Sequence, residues 1–407
     1  MKVVICGAGI AGLALAHRMA ALGADIVVLE RAPGPRHQGY MIDFFGTGYD
    51  AAEAMGVLPA IERLAYHVEE VSWLDETGRQ RAGLRYTQFA KVIRGRMLNI
   101  MRPDLERALR EQLPPQVELR FGTGPVAVDD LGDRVRITLA DGEVIDADLL
   151  VGADGVHSTV RRLVFGPEQR FLRYLGFHTA AFRFPDPELR AAIGDRFCMT
   201  DTIGKQMGFY SLRDGQVATL AVHRTPDPTL PDDARAAVRA VYGSLGWVVP
   251  DALDRCPPPA EIYYDQVAQI EMPHWSQGRV VLVGDACSAV SLLAGQGASL
   301  AIAGAYVLAG QLASPDSIEA ALRRYEQLMR PIVAEKQTVA RNSARWFLPE
   351  TALQLRIRRI ALRLSRLPGI DRYLAGLVAG KSAALIMNLR REGASPTLIN
   401  AAPGGRR

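Results

Sequence analysis

An α/β fold, interrupted by a mostly antiparallel sheet and followed by a helical extension, is predicted by three features of this 407-residue sequence. Positions 1–30 read as strand, glycine turn, helix and strand. Positions 170–275 switch to a period-two pattern. Beyond position 350 the chain turns basic and helical in pattern.

Val3, Val4, Ile5 and Cys6 form a continuous apolar run, as expected of a strand covered on both faces. Gly7-Ala8-Gly9-Ile10-Ala11-Gly12 follows, and then a helical stripe of Leu13, Leu15, Ala16, Met19 and Leu22. Gly23 stands where a helix C-terminal cap is expected. DIVVLE is a second buried strand, and it ends on Glu30. In such a unit Gly7 permits a tight turn, Gly9 lets backbone approach a pyrophosphate, and Gly12 lets helix and strand pack closely. Unpaired N–H groups at the helix start face the phosphates, and Glu30, at the end of the next strand, can accept from a ribose hydroxyl. A carboxylate there disfavours a 2′-phosphate, so NADP is not the expected resident. The apolar start could also open a secretory signal, but the glycine turn leading into a folded unit reads as a nucleotide cradle. The pattern by itself leaves FAD and NAD both open.

A loop, RAPGPRHQGYMIDFFGTGYDAAEAMG, feeds a helix near Tyr49–Met55, and PDLERALREQL makes a helix over 103–113 with Pro103 in its first turn. VELRFG and the region 134–155 read as strands, with Asp141-Gly142 as a hairpin turn. FHTAAFRF, KQMGFYSLRDGQVATLAVHR and YYDQVAQIEM alternate at period two. GRVVLVGDA returns to a buried strand, and helices follow at about 297–312 and 317–345. The expected division is a first nucleotide-binding part over 1–169, a sheet unit over 170–277, a second nucleotide-binding part over 278–345 and an extension over 346–407.

Hydrophobic content of 48% and charged content of 23% are ordinary for a globular protein. No run approaches the ~18 apolar residues of a membrane span. Four scattered cysteines form no CxxC, which argues against a disulfide framework and a zinc site and makes a reducing cytoplasm the expected home. Residues 351–407 hold eleven Lys and Arg against two Asp and Glu, while the body is mildly acidic. No broad basic surface for nucleic acid results.

Two further stretches decide between FAD and NAD. In VGADGVHSTVRRLVFG a buried strand ends at Asp154-Gly155 and Ser158 can cap the next helix. In RVVLVGDACSAVSLLAGQGASLAIAGAYVLAGQL a strand ends at Gly284-Asp285, and Gly295-Gln296-Gly297 opens a small-residue helix. With GAGIAG, Glu30-Arg31 and Arg102 before Pro-Asp-Leu, these segments resemble the FAD-dependent aromatic hydroxylases, the single-component class A flavoprotein monooxygenases, over residues 1 to about 345. GYMIDFFGTGYDAAEAMG and the helical extension look most like the polyketide hydroxylases and tetracycline-inactivating monooxygenases. The chain departs from the family in having Asp285-Ala286-Cys287-Ser288 where many members have Asp-Ala-Ala-His, and Leu292 where a proline is usual.

The resemblance implies a Rossmann-type FAD-binding domain with an inserted substrate domain. It implies non-covalent FAD, NAD(P)H as co-substrate, and oxygen transfer from a flavin C4a-hydroperoxide to an aromatic or polyketide-like molecule. Gly7, Gly9, Ala11, Gly12, Glu30 and Arg31 are then expected on the ADP half of FAD, with Arg102 along the cofactor; Asp154 belongs to the motif associated with both FAD and NAD(P)H, and its other reading is a helix-entry carboxylate without a ligand contact. Asp285 is expected at the ribityl–pyrophosphate region, and Gly295, Gln296, Gly297 and Ala298 at the isoalloxazine. The chemistry belongs to the flavin, so no protein nucleophile and no metal is expected. Substrate-pocket candidates are Asp43, Phe45, Met207, Phe209 and Tyr210, although alternation puts Met207 and Phe209 on one strand face and Tyr210 on the other. His223 reads as a surface histidine, His157 as part of a helix start and Cys287 as a small buried residue. In the extension, Leu353, Ile357, Ile360, Leu364 and Leu367 form a helical stripe beside Arg356, Arg359, Arg363 and Arg366. The stripe is expected to pack across the two domains, with solvated arginines; a membrane-surface helix is the less favoured reading. No WxWxIP stretch marks a halogenase. The alternatives are an FAD-dependent reductase or dehydrogenase of a lipid-like substrate and a non-catalytic flavin-binding protein.

Overall fold

The computed structural model describes residues 1–86, 95–314, 316–364, 386 and 389, with the side chains of 345, 346, 363 and 364 left aside. Lys2–Cys6 and Asp25–Glu30 form as expected and sit at the centre of a six-stranded sheet. Its order runs Ser276–Gln277, Val280–Leu282, Leu149–Gly152, Lys2–Cys6, Asp25–Glu30, Glu118–Phe121. All pairings are parallel except that of the short Ser276–Gln277 edge strand. Helix Ile10–Ala21 ends on Leu22 and Gly23 takes φ +84°, so the left-handed cap falls where the pattern puts it. Helix Gly297–Leu312 is apolar all round and therefore buried, packed between Ile10–Ala21 and the long helix Ile318–Phe347.

The second sheet has eight strands. Tyr263–Ile270, Leu172–Ala181, Gln216–Arg224, Lys205–Ser211 and Arg196–Thr200 come from the period-two region, and Arg183–Pro185 pairs with Gln216–Arg224. The last two strands, Glu70–Leu74 and Gln80–Arg85, come from the first part of the chain, and Glu70–Leu74 pairs in parallel with Arg196–Thr200. The reading that leaves 1–169 in one unit misses this strand pair, because its partner lies in a distant part of the chain and leaves no local signal.

One face of the second sheet carries Met207 and Phe209 under helices Ala234–Tyr242 and Val249–Asp254, against Val238, Tyr242 and Val249. Each fully buried aliphatic or aromatic side chain here contributes about 1.5–3 kcal/mol. The other face turns Tyr210, Ala218 and Leu220 toward Met41 and Met101. Those two methionines belong to a two-stranded ribbon, Met41–Phe45 with Met97–Met101, that joins the two sheets. Ile42, Phe44, Leu98 and Ile100 point back into the core of the first sheet.

The C-terminal helix, Ala352–Leu364, corrects the expected orientation. Leu353, Ile357 and Ile360 are 67%, 44% and 56% exposed, and the inward face is Leu355 with Arg358 and Arg359. Asp201, whose side chain is 1% exposed, receives Arg358 at 2.8 Å and a second bond from Arg359. A buried carboxylate needs partners more than the aliphatic stripe needs cover, and two guanidiniums satisfy it. Leu364 and Arg363 (as side chains) and Leu367 and Arg366 lie outside the described residues. Asp201→Ala is expected to cost about 2–4 kcal/mol, since it leaves two half-buried cations without their counter-charge. Limited proteolysis near Pro349–Thr351 should accelerate, and cleavage at the wild-type rate would show that the helix is held by other contacts.

Candidate cofactor and substrate site

The three glycine-bearing segments meet at one place. Gly7 takes φ +112°, and a Cβ there would lie 2.4 Å from the Ala153 carbonyl oxygen. A Cβ on Gly12 would lie 1.9 Å from the Gly7 carbonyl oxygen, and one on Gly284 would lie 2.8 Å from the Ala11 Cβ and 3.7 Å from that of Ala301. Next to Gly9 the nearest atom is the Glu106 carboxylate at 3.8 Å, so this position borders open space. Helices Ile10–Ala21 and Gly297–Leu312 both begin without a side-chain cap. Two sets of helix-start N–H groups therefore converge on one cleft, which suits the phosphates and the polar ring edge of a flavin dinucleotide.

Glu30 ends its strand beside the glycine turn. Its carboxylate accepts from the Ala8 N–H at 2.9 Å and the Ala32 N–H at 2.8 Å, with Arg36 at 3.4 Å. Arg31 is exposed beside it. Asp285 is exposed, and its Oδ1 lies 3.8 Å from where a Cβ on Gly297 would stand, so the carboxylate faces the start of helix Gly297–Leu312. That exposure makes its carboxylate reachable by a ligand. The enclosing protein pushes its carboxyl up, with the Arg102 guanidinium pulling against that. Arg102 pairs with Glu106 at 3.2 Å, and Glu106 foremost holds it charged. Tyr40 and Tyr263 meet near Arg102 as a tilted pair, centroids 5.6 Å apart and planes at 56°, and burial raises the Tyr40 hydroxyl to about 12. Neither tyrosine is among the sequence-derived candidates, for they come together from distant parts of the chain.

Leu292 sits in an unusually shaped loop. Ser291 takes φ +76°, a short 3₁₀ turn spans Leu292–Ala294, and Gly295 is left-handed at φ +62°. A non-glycine residue in that region is strained, and strain of this kind concentrates at ligand-binding loops. Gly295 is exposed, while Gln296 is buried ahead of Gly297 and Ala298.

Asp154 takes up the helix-entry position. One oxygen accepts from the Ser158 hydroxyl at 2.5 Å; the other accepts from the N–H groups of Thr159 at 2.7 Å and Val160 at 3.1 Å. It caps the start of helix Thr159–Val164, together with Ser158, which accepts from the Arg161 N–H. Arg161, quoted in the motif but assigned no role there, is fully buried. It donates to the Ala286 carbonyl at 2.9 Å and the Val156 carbonyl, and meets Glu168 at 3.0 Å. His157 bridges Glu168 at 3.1 Å and Asp265 at 3.2 Å, and these carboxylates, Asp265 first, raise it to about 9. Cys287 is buried and burial pushes its thiol up to about 12, so it is inert at neutral pH.

The substrate candidates separate. Met207 and Phe209 are 0% exposed on the far face of the second sheet and cannot line the cleft; the helices that cover them came from sequence the alternation says nothing about. Tyr210 faces the cleft side, but it is 2% exposed and its hydroxyl accepts from the Met41 N–H at 2.7 Å, a structural tie. Phe45 is buried against the start of helix Gly297–Leu312, its N–H 3.4 Å from the Ser299 hydroxyl. Asp43 is half-buried. Phe197 and Leu220 beside Tyr210, and Leu292 and Leu293 just ahead of Gly295, none of them a substrate candidate from the sequence, keep part of their apolar surface open.

His223 also departs from its expected surface place. It is 8% exposed, bonded to the Tyr242 hydroxyl at 3.0 Å and edge-on to His178 at 5.6 Å. Burial, then His178 and Lys205, lower it to about 4. Because the folded value lies below the unfolded one of about 6.5, its stabilising contribution is complete above pH 6.5 and fades as pH falls toward 4. With allowance for partial solvation the loss is about 1–2 kcal/mol. Melts of wild type and His223→Phe from pH 7 to 4.5 should converge; parallel curves would rule the histidine out as the acid-sensitive group.

A glycine cradle, the Glu30 carboxylate beside it, Arg102 near Asp285 and a second uncapped helix start suit an FAD-dependent class A flavoprotein monooxygenase, the class to which the comparisons assign the chain. Residues 1–340 match the family model described as FAD binding domain, FAD_binding_3, and the chain belongs to that family. It is 34% identical to the uncharacterized protein Rv1260 of Mycobacterium tuberculosis (strain ATCC 25618 / H37Rv) over 343 residues, 82% of this chain and 91% of that one. It is 30% identical to the FAD-dependent monooxygenase asL6 of Sarocladium schorii, covering 83% of this chain and 86% of the other. The tetracycline destructase Tet(51) superposes with a TM-score of 0.78 at 25% identity, over 93% of this chain and 98% of its own. Klebsiella pneumoniae HpxO, solved with FAD and uric acid, shares the fold with a TM-score of 0.78 at 22% identity, over 94% and 97% of the two chains. No helix among the described residues is long and apolar enough to cross a membrane.

Proposed function

We propose that the chain hydroxylates an electron-rich aromatic or polyketide-like small molecule, consuming NAD(P)H and O₂. The observation that carries this reading is a pair of half-buried apolar groups on one face of the second sheet, Met41, Phe197 and Leu220 around Tyr210, and Leu292 and Leu293 around Val222 just ahead of the Gly295–Ala298 segment. Such surface suits a planar apolar ring and excludes water around the reacting atoms. The overall likeness to Tet(51) supports a bulky, multi-ring molecule. FAD, when bound, supplies the reduction of dioxygen and the transfer of one oxygen atom. The chain's own residues bind and orient. Gly7, Gly9, Ala11 and Gly12 admit the pyrophosphate, with Glu30 and Arg31 at the adenosine end. Arg102 and Asp285 hold the middle of the cofactor, and the helix start at Gly297 meets the polar edge of its ring. Within this reading residues 170–277, joined by the 70–85 strand pair, form the substrate unit; residues 1–169 and 278–345 hold FAD, and 346–407 extend it.

The test is product mass under ¹⁸O₂ with NAD(P)H and a panel of phenolic and polyketide compounds. One incorporated ¹⁸O atom is expected. Turnover that proceeds without oxygen, with two hydrogens gained or lost and no label, would falsify the reading in favour of a reductase or dehydrogenase of a lipid-like substrate. Acid precipitation should release free FAD, since no covalent link is expected.

A further inference from the structure

The ribbon that joins the two sheets presents one apolar face and one mixed face. Ile42, Phe44, Leu98 and Ile100 fill the core of the first sheet. Met41, Asp43, Phe45, Met97, Asn99 and Met101 alternate onto the opposite side. There Met41 and Met101 join the Tyr210 cluster, and the Phe45 N–H approaches Ser299 in the first turn of helix Gly297–Leu312. Asp43 thus lies between the substrate-sheet wall and the start of the cofactor helix. Its Oδ1 takes the short hydrogen bonds, from the Asn99 amide at 2.6 Å and the Tyr86 hydroxyl at 3.0 Å. Oδ2 has the same Tyr86 hydroxyl at 3.3 Å. A tyrosine has one proton to donate, so once it serves Oδ1 the second oxygen retains acceptor capacity. Two donors fix the carboxylate without consuming it, and the side chain is half-buried rather than sealed.

Resting on the aromatic-substrate reading, we infer that Asp43 is the polar anchor of the substrate cleft, its Oδ2 accepting a hydrogen bond from a phenolic or enolic hydroxyl on the ring to be oxidised. Such a bond orients the ring. It also draws the hydroxyl proton away, which raises electron density at the adjacent carbons. Burial lifts the Asp43 carboxyl above the ordinary carboxylate range, against the pull of Tyr86 and Asn99, which makes it a stronger acceptor than a surface carboxylate. Asn99 and Tyr86 act through Asp43 and are positioning residues.

The experiment titrates the FAD-loaded protein by calorimetry with 2-naphthol and with 2-methoxynaphthalene, probes that differ in the one donor at issue. Wild type should bind the naphthol about tenfold or more tighter than the ether, the worth of one hydrogen bond to a charged acceptor. Asp43→Asn should bring that ratio close to one while leaving the ether's affinity and the FAD content unchanged. A merely structural role would not move the ratio alone. Persistence of the wild-type ratio in Asp43→Asn overturns the inference and leaves the aromatic-substrate reading standing. An Asp43→Asn protein that lacks FAD, or that binds neither probe while wild type binds both, makes Asp43 a structural residue and overturns it as well. Wild type that binds neither probe overturns the aromatic-substrate reading itself, and this inference with it.

Discussion

Gly12→Ala is expected to emerge from purification without flavin and with a lowered melting temperature. Its Cβ would lie 1.9 Å from the Gly7 carbonyl oxygen and 3.3 Å from the Ala153 Cβ. The first of these is backbone, and it has little freedom to yield. The Gly7 N–H donates to the Leu29 carbonyl at 2.7 Å, and the Ala153 N–H donates to the Cys6 carbonyl at 2.7 Å. Relief must come from the helix moving off the strand or from the turn opening, and either one displaces the N–H groups that face the cofactor. Overpacking of this kind costs about 1–3 kcal/mol, and with the turn lost the upper end applies. FAD affinity should fall at least a hundredfold, about 2.7 kcal/mol. The absorbance ratio of flavin to protein and a thermal melt measure both. Gly34→Ala, where no atom lies within 4 Å of the added carbon, is the matched control. A Gly12→Ala protein with full flavin occupancy would mean that the packing of the glycine turn is looser than the structure has it.

Arg161→Met should be the most destabilising single change away from the glycine turn. The guanidinium is fully enclosed and satisfies the Ala286 and Val156 carbonyls as well as the Glu168 carboxylate. Burial itself disfavours its charge, and those partners are what compensate. Methionine fills part of the volume but leaves two carbonyls without this donor and Glu168 with His157 alone. The expected cost is about 3–5 kcal/mol by denaturant titration. FAD affinity should drop too, because Ala286 follows Asp285 directly and its carbonyl is what Arg161 holds. Arg161→Lys should rescue little, since one ammonium cannot reproduce a planar fork of donors. Unchanged FAD affinity with lowered stability would separate the structural tie from the cofactor site.

The cradle, the helix caps and the strand ends were legible in the sequence. Strand, glycine turn, helix and acid follow one another directly between Lys2 and Glu30, and Gly12, Ser158 and Gly23 each answer a constraint set largely by nearby positions, while Gly7 also answers the distant Ala153. Backbone sterics, cap hydrogen bonds and period are local, so a single sequence carries them. Only the tertiary structure decided which face of Lys205–Ser211 meets the cleft. Alternation separates Met207 and Phe209 from Tyr210, but both faces of that strand are covered, and the covering elements lie elsewhere in the chain. The Glu70–Leu74 and Gln80–Arg85 strands, the Arg161 tie and the tilted Tyr40–Tyr263 pair were hidden for the same reason. The C-terminal helix is the sharpest instance. Its Leu353, Ile357 and Ile360 stripe points to an apolar inner face by local rule, yet a carboxylate far upstream, Asp201, turned the arginines inward. A buried charge binds its counter-charges more strongly than a short apolar stripe resists water, and where that charge sits is a property of the fold.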